Sequence, residues 1–364
     1  MLEADLTEAT TAGIGAYTQR TRTDGLFRGL PTDTTGRHFG LPRSTYLDLA
    51  DTYQRRDTDV VFGHLEHRLT GGWLVKANWT ATDGSSDSRY SHNTRIDGSE
   101  TTLQSGETGW KYTTKQQAFD LRASGPVHWL GRTHQLVAGA QLRKDRVNWA
   151  GTWGGDGDGR IVDIYRWDPR AHRLTGAPPA TPLQQQRESH EKGLYAAGSF
   201  QLLDPLKIVI GGRLSWFKED GTGGWYTDTS SVRWRRSLHD SAVFVPYAGL
   251  IHDLDARHSV YASLTEIFSP QGVQDVNGNT LKPLTGTNYE LGVKGAYFDG
   301  ALNASAALFR ISQRNRAVRD EANCPTSGVA SCYRAAGEIE SDGVELQLSG
   351  ALTPSWQISA GDAY

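Results

Sequence analysis

Hydrophobic and polar residues alternate along many stretches of this 364-residue chain. In one of the clearest, Tyr289, Leu291 and Val293 fall on one face of an extended segment, and Glu290 and Lys294 fall on the other. A period of two residues with one apolar and one charged face predicts a half-buried β-strand.

The same alternation predicts thirteen strands in an all-β, antiparallel chain, and we find no amphipathic helix of comparable length. The thirteen segments cover residues 2–20, 58–69, 72–83, 111–125, 133–147, 188–203, 206–218, 240–254, 257–268, 287–298, 301–315, 337–350 and 353–364. Most exceed the average globular strand of roughly 5–6 residues. They reach the roughly 9–11 residues that a tilted strand needs to cross a membrane.

Short and long connections alternate between these segments. The short ones lie at 70–72, 204–205, 255–256, 299–300 and 351–352, with a somewhat longer one at 126–132. The long ones lie at 21–57, 84–110, 148–187, 219–239, 269–286 and 316–336. This regularity is typical of an outer-membrane β-barrel, with short turns at one end and long loops at the other. A soluble β-sandwich mixes its loop lengths and uses shorter strands.

The composition supports a barrel over a helical membrane protein. Hydrophobic residues make up 37% of the chain, and the mean hydropathy is −0.53. No window approaches the roughly 20 apolar residues of a membrane-spanning helix. A barrel wall needs apolar residues on one face only, and interfacial aromatic girdles fit the 11 Trp, 14 Tyr and 10 Phe residues. The net charge of −3 does not indicate the concentrated basic surface that nucleic-acid binding requires.

The two cysteines, Cys324 and Cys332, lie close together between polar stretches. Their spacing suits a small loop disulfide, which requires an oxidising compartment, and two free thiols are the alternative. We find no enzyme motif and no metal site, and His64 and His67 fall on opposite faces of their strand. Residues 1–5 have neither the basic nor the apolar region of a signal peptide.

Several segments carry a resemblance to a known family. The strongest are Val260–Gln271 and Leu281–Lys294, followed in order by Leu302–Ser305, Leu308–Ile311 and Gly343–Leu346. An earlier pair, Gly25–Pro31 and Gly40–Tyr46, is similar to the first long loop of the same family. Together these segments resemble TonB-dependent outer-membrane siderophore receptors of the ferripyoverdine and ferrichrome type. The resemblance runs over nearly the whole chain.

The resemblance implies a 22-stranded transmembrane barrel, filled by an N-terminal plug, in the outer membrane of a Gram-negative bacterium. It implies import of a ferric siderophore, which is the transported ligand rather than a cofactor, with energy from the TonB–ExbB–ExbD system acting through the plug. We expect residues 1–364 to be a partial, incomplete barrel domain near the fifth to seventeenth strands. The signal peptide, plug and last strands are expected to be absent. The other partner is outer-membrane lipid, and we expect neither enzymatic activity nor nucleic-acid binding.

Ligand capture would fall to aromatic and arginine residues in the long connections. Aromatic rings give a bulky chelate a large contact area at small entropic cost, and Arg offsets negative charge. The aromatic candidates are Trp110, Trp149, Trp153, Tyr165, Trp167, Trp225, Tyr226, Trp234 and Tyr333, with Arg166, Arg233 and Arg235 beside them. Each could instead pack loops together or belong to the upper aromatic girdle.

Three other functions remain open from the sequence. The chain could belong to a receptor of the same family for cobalamin, haem or a glycan, because loops decide the substrate. It could be a passive porin, in which case charges on the polar face would set ion selectivity. It could also be an inactive gene fragment.

Overall fold

The computed structural model describes residues 1–26, 29–96, 98–152, 160–174, 182–226, 231–320, 322–324 and 332–364. Within these residues, fifteen strands form a single sheet, with one short 3-10 turn at Thr70–Gly72. The strands are β1 Leu2–Thr7, β2 Thr10–Asp24, β3 Tyr53–Arg68, β4 Leu74–Arg95, β5 Thr102–Trp129, β6 Arg132–Thr152, β7 Arg160–Asp163, β8 Pro182–Leu203, β9 Leu206–Tyr226, β10 Ser231–Asp253, β11 His258–Ser269, β12 Leu284–Tyr297, β13 Leu302–Arg319, β14 Tyr333–Thr353 and β15 Trp356–Ala363.

The strand order in the sheet follows the order in the chain. Every pairing is antiparallel, and only the short strand β7 leaves the sequence, because it pairs with β5 and lets β6 pair with β8. The sheet is open, with β1 and β15, both fully described, at its two edges. The prediction of an all-β antiparallel chain is therefore confirmed. Among the residues that the structure describes, no helix is long and apolar enough to cross a bilayer.

The strand count corrects the sequence prediction in two places. The segment 2–20 is two strands, β1 and β2, joined by a tight turn at Glu8 and Ala9. The Thr7 hydroxyl accepts the Ala9 N–H at 3.3 Å, which stabilises a turn that lacks glycine and proline. The second addition is β7, within the connection predicted at 148–187.

The long connections are shorter than predicted because polar segments continue as strands. The predicted loop 84–110 is mostly hairpin, since β4 continues to Arg95 and β5 begins at Thr102. Continued pairing satisfies the backbone hydrogen bonds of both strands, although neither face there is apolar enough to produce alternation. The predicted connection 126–132 also shrinks, to a two-residue turn at Leu130 and Gly131 with φ of 51° and 71°.

Leu130 occupies the left-handed region, which costs most L-residues roughly 1–2 kcal/mol. Its side chain is 79% exposed, so little packing is lost on replacement. We expect Leu130→Asn to stabilise the folded protein by about 0.5–1 kcal/mol, because Asn tolerates this conformation. The measurement is the urea midpoint of the purified protein in micelles. A midpoint that does not rise would contradict the prediction.

The sheet has two chemically distinct faces, which the register keeps constant from strand to strand. We call one the apolar face, with residues such as Leu121, Leu194, Ile210, Leu250 and Leu291. We call the other the polar face. On β9 the apolar face runs from Leu206 to Trp216. Ten residue steps measure about 33 Å along a strand, which a tilt of about 40° reduces to the roughly 25 Å of a barrel's apolar band.

Candidate ligand-binding site

The polar face is crossed by hydrogen bonds and ion pairs between strands. The Tyr195 hydroxyl donates to Asp120 Oδ2 at 2.8 Å, and the Arg213 guanidinium lies 3.0 Å from Glu191. Glu290 and Lys294 lie on this face, as their alternation with Leu291 predicted. The register places six further charged residues on the same face, namely Glu66, Lys76, Arg122, Lys207, Arg213 and Glu345. A face of this kind suits contact with water or with another polar surface.

A stacked tryptophan pair lies on this face toward the long connections. Trp110 of β5 and Trp149 of β6 have ring centroids 4.7 Å apart, with an interplanar angle of 19°. The indole N–H of Trp110 donates to the Tyr90 hydroxyl at 2.6 Å, which fixes that ring. Tyr112 is the register partner of Trp149 and adds a fourth aromatic residue to the group. We call these four residues the aromatic platform.

Glycine at position 151 makes room for the stack. Gly151 is the register partner of Trp110, and the indole lies across it. A Cβ added at Gly151 would lie 1.7 Å from Trp110 Cε3, which is far inside van der Waals contact. Any larger residue there would displace the Trp110 ring, so residues 110, 149 and 151 act as a unit.

Two other predicted residues, Tyr165 and Trp167, belong to packed connections. Trp167 packs against a buried cluster of Leu47, Leu103, Val162 and Ile164, and its indole N–H donates to the Asp48 carbonyl at 3.2 Å. The Tyr165 ring is 59% exposed, and its hydroxyl donates to the Phe39 carbonyl at 3.3 Å. Trp167 therefore holds two connections together, whereas Tyr165 presents an accessible ring.

The buried carboxylate of Asp48 joins the β2–β3 connection to β4 through hydrogen bonds. Asp48 Oδ1 accepts the backbone N–H of Leu49 at 2.7 Å and that of Ser91 at 2.9 Å, and it also accepts the Ser91 hydroxyl. Nearby, the Tyr46 hydroxyl donates to the carbonyls of Leu26 and Leu49, both at 3.1 Å. Burial raises the pKa of Tyr46, so it stays protonated and continues to donate.

The remaining predicted residues lie on other strands than the platform. Trp225 and Tyr226 end β9, and Trp225 continues the register row of Trp110 and Gly151 through Leu183 of β8. Trp234 of β10 continues the row of Trp149 through Gln185 and Gly223. Tyr333 begins β14, and its backbone N–H donates to the Gln274 carbonyl at 2.8 Å. Trp153 lies outside the described residues. Tyr90 and Tyr112 were not among the predicted residues, although the alternating aromatic residues at 110 and 112 were a signal for Tyr112.

Two connections each contain a tight turn of the same kind. Asp33 and Asp275 each start a tight loop, closed by the isolated bridges Thr32–His38 and Gln274–Thr280. In the first, Asp33 Oδ1 accepts the N–H groups of Thr35 and Arg37 at 2.9 and 2.8 Å. In the second, Asp275 Oδ1 accepts those of Asn277 and Asn279 at 2.9 and 2.8 Å. Gly36 and Gly278 supply the positive φ in the two turns.

These bonds favour the ionised carboxylate, which gives a pH prediction. Hydrogen bonds from the Thr35 side chain and the Arg37 backbone lower the pKa of Asp33 from 3.8 to about 2. Because the folded-state pKa is depressed, its stabilising contribution is complete above pH 3.8 and is lost as the pH falls toward 2. A ¹³C titration of the Asp33 carboxyl measures this pKa. A value near 4 would contradict the prediction.

Cys324 and Cys332 are joined by a disulfide bond, with 5.6 Å between their Cα atoms. The backbone N–H of Asp320 donates to the Cys332 carbonyl at 2.9 Å. The disulfide therefore lies directly beyond the last paired residues of β13 and β14. In the described part of the chain, no group of three or more His, Cys, Asp or Glu residues is arranged to hold a metal ion.

Comparison with known proteins identifies related sequences and folds. The sequence model of one family, described as TonB dependent receptor-like, beta-barrel, matches residues 4–364. The ferric-pyoverdine BN7/BN8 receptor of Pseudomonas putida is 33% identical over 382 aligned positions, covering 100% of this chain and 44% of that receptor. The ferrioxamine B receptor of Salmonella typhimurium is 29% identical and covers 99% of this chain and 49% of its own length.

A solved structure shares the fold. The ferripyoverdine receptor of the outer membrane of Pseudomonas aeruginosa, bound to ferripyoverdine, superposes with a TM-score of 0.86 at 26% identity. The match covers 100% of this chain and 48% of that one. The chain thus spans about half the length of the relatives that it matches.

Proposed function

Because the chain belongs to the TonB dependent receptor-like β-barrel family, we propose that it forms part of the wall of an outer-membrane receptor for ferric siderophores. The observation that carries the proposal is that the sequence and the fold are both similar to receptors for ferric pyoverdine. The relative with 33% identity over the whole chain is a ferric-pyoverdine receptor. The fold matches a ferripyoverdine receptor with a TM-score of 0.86.

In this proposal the apolar face lies against lipid and the polar face lines the interior of a closed barrel. The height of the apolar band, about 25 Å, supports this placement. The inter-strand ion pairs of the polar face would be available to a plug, through which the TonB–ExbB–ExbD system would supply energy. Strands beyond β1 and β15 in the full-length protein would complete the barrel.

The aromatic platform is our first candidate for ligand contact. It combines two stacked indoles with two tyrosines on the interior face, toward the long connections. Such a surface suits the exposed carbon and the planar rings of a siderophore, and few residues carry most of the binding energy. Tyr165, Trp225, Tyr226, Trp234 and Tyr333 are second candidates, whereas the indole of Trp167 is engaged in loop packing.

The test is uptake of ⁵⁵Fe-loaded siderophore by cells expressing the full-length gene, with and without TonB. We expect accumulation that requires TonB and that excess ferripyoverdine inhibits. Uptake that persists without TonB and extends to small sugars would instead identify a porin. Competition by cobalamin or haem alone would identify another substrate, and absence of the protein from the outer membrane would identify an inactive gene.

A further inference from the structure

One arginine of the polar face lies beside the aromatic platform and was not among the predicted ligand contacts. Gln185 of β8 is the register partner of Trp149, and Arg187 lies two residues further along β8 on the same face, toward the short turns. The diagonal distance between such neighbours is about 7–8 Å, which a long side chain can span. Arg187 can therefore reach a group that rests against the Trp149 indole.

Two arginines share one buried carboxylate at this place. Arg187 of β8 and Arg236 of β10 are both register partners of Gly221 on β9, which puts no side chain between them. Both guanidinium groups contact Glu219, whose side chain is only 8% exposed. Arg187 Nε lies 3.5 Å from Glu219 Oε2, and a terminal nitrogen of Arg236 contacts Glu219 Oε1. Two guanidinium groups and one carboxylate leave an excess of one positive charge.

Arg236 has structural partners on two sides. In addition to its contact with Glu219, its Nη1 donates to the Gly272 carbonyl, in the β11–β12 connection, at 2.9 Å. A Cβ added at Gly272 would lie 2.2 Å from Arg236 Cζ, so the guanidinium packs directly against that backbone. Arg236 therefore holds the connection against β10 and supplies the counter-charge of Glu219. The charge of Arg187 is the one that remains available.

Arg187 has hydrogen-bond donors to spare. A guanidinium carries several N–H donors, yet towards the described residues that of Arg187 donates no hydrogen bond, and its ion pair with Glu219 is made through Nε. That contact orients the side chain and leaves Nη1 and Nη2 without a partner in the described part of the sheet. The side chain is 42% exposed, so a solute can reach it. By contrast, Arg143 of the same face pairs with Asp145 at 2.8 Å.

We propose that Arg187 binds a free carboxylate of an iron chelate whose carbon surface rests on the aromatic platform. The planar guanidinium can offer parallel N–H donors to both oxygens of a carboxylate. Contact with the indoles recognises the shape of the ligand, whereas this contact recognises its charge. The site therefore prefers an anionic chelate over the same chelate without its carboxylate. The inference rests on the proposed function and adds to it the chemical class of the ligand.

The test is equilibrium binding of ⁵⁵Fe-labelled ferric pyoverdine to outer membranes that contain the full-length protein. The probe is used unmodified and after its free carboxyl groups have been converted to methylamides. We expect Arg187→Gln to bind the unmodified probe about tenfold more weakly and the amide probe within about twofold of the unaltered protein. Arg187→Lys, which keeps the charge, should recover part of the loss. The matched control Arg143→Gln should bind both probes within about twofold of the unaltered protein.

Several results would overturn the proposal. A preference for the unmodified probe that persists in Arg187→Gln would place carboxylate recognition elsewhere, and an equal loss in Arg143→Gln would reduce the effect to general charge. Fewer binding sites at unchanged affinity in Arg187→Gln would make the residue structural. Equal, tight binding of both probes by the unaltered protein would contradict this inference and leave the proposed function intact. Absence of saturable binding of either probe would contradict both.

Discussion

Replacing both Trp110 and Trp149 by alanine is expected to weaken ferric-siderophore binding about 100-fold. A buried aromatic contact at a binding site is commonly worth about 2 kcal/mol, and about 1.4 kcal/mol changes affinity tenfold. The two rings are stacked at 4.7 Å, so each single variant should also disturb the other ring. Single losses of about 10- to 30-fold would therefore not simply multiply. Equilibrium binding of ⁵⁵Fe-siderophore to isolated outer membranes measures the effect.

The matched control lies on the same strand. Trp129 ends β5 at the short-turn end and is 60% exposed, so Trp129→Ala removes an identical side chain far from the platform. It should leave affinity within about twofold, as expected for a remote surface change. Gly151→Ala should reproduce the platform defect without removing either tryptophan, because the new Cβ displaces the Trp110 ring. Full affinity in the double tryptophan variant would place the ligand elsewhere.

Asp48→Ala is expected to free the β2–β3 connection from β4. The change removes the acceptor of two backbone N–H groups and one hydroxyl in a buried site, which costs about 2 kcal/mol or more. Amide exchange of Leu49 and Ser91 should accelerate by about 30-fold, since about 1.4 kcal/mol corresponds to tenfold. Hydrogen-exchange mass spectrometry of peptides covering 44–52 and 88–95 provides the measurement.

Two variants define the expected pattern for Asp48. Asp48→Asn keeps one acceptor oxygen and should give an intermediate acceleration. Asp24→Ala removes a carboxylate of the same chain that is exposed and paired with Arg22 at 2.7 Å, and it should leave both peptides unchanged. Equal protection in Asp48→Ala and the unaltered protein would show that other contacts, such as the Ala50 N–H to the Pro169 carbonyl at 3.0 Å, suffice to hold the connection.

The sequence predicted the fold well wherever one face of a strand is apolar. Every predicted segment lies within or overlaps an observed strand. Glu290 and Lys294 lie on the face of β12 that is turned away from Leu291, as the alternation predicted. Prediction failed where that contrast disappears. Apart from Gly84 and Tyr90, residues 84–95 are serine and other polar or charged residues on both faces, so no alternation distinguishes a solvated strand from a loop. The backbone hydrogen bonds that extend β4 leave no pattern of hydrophobic residues in the sequence.

The candidate site was predicted only in part. Trp110 and Trp149 are 39 positions apart, and the sequence could not reveal that neighbouring strands bring them into contact. Gly151 makes room for the Trp110 ring only because β5 and β6 pair in the register that places the two residues side by side. The sequence alone does not reveal that register. Trp167 looked equivalent to the other tryptophans, yet two of its partners, Leu47 and Asp48, come from the β2–β3 connection, more than 100 positions away. Long-range packing, not residue type, separates the two groups.

Almost every hydrogen-bonded neighbour in this sheet is also a neighbour in the chain. Duplication or deletion of one complete hairpin therefore preserves the direction and the apolar side of all remaining strands. Loss of a single strand would instead reverse the direction of every strand that follows it in the chain. A wall built in this way can change its circumference during evolution in steps of two strands, while each hairpin remains free to diverge at its tip.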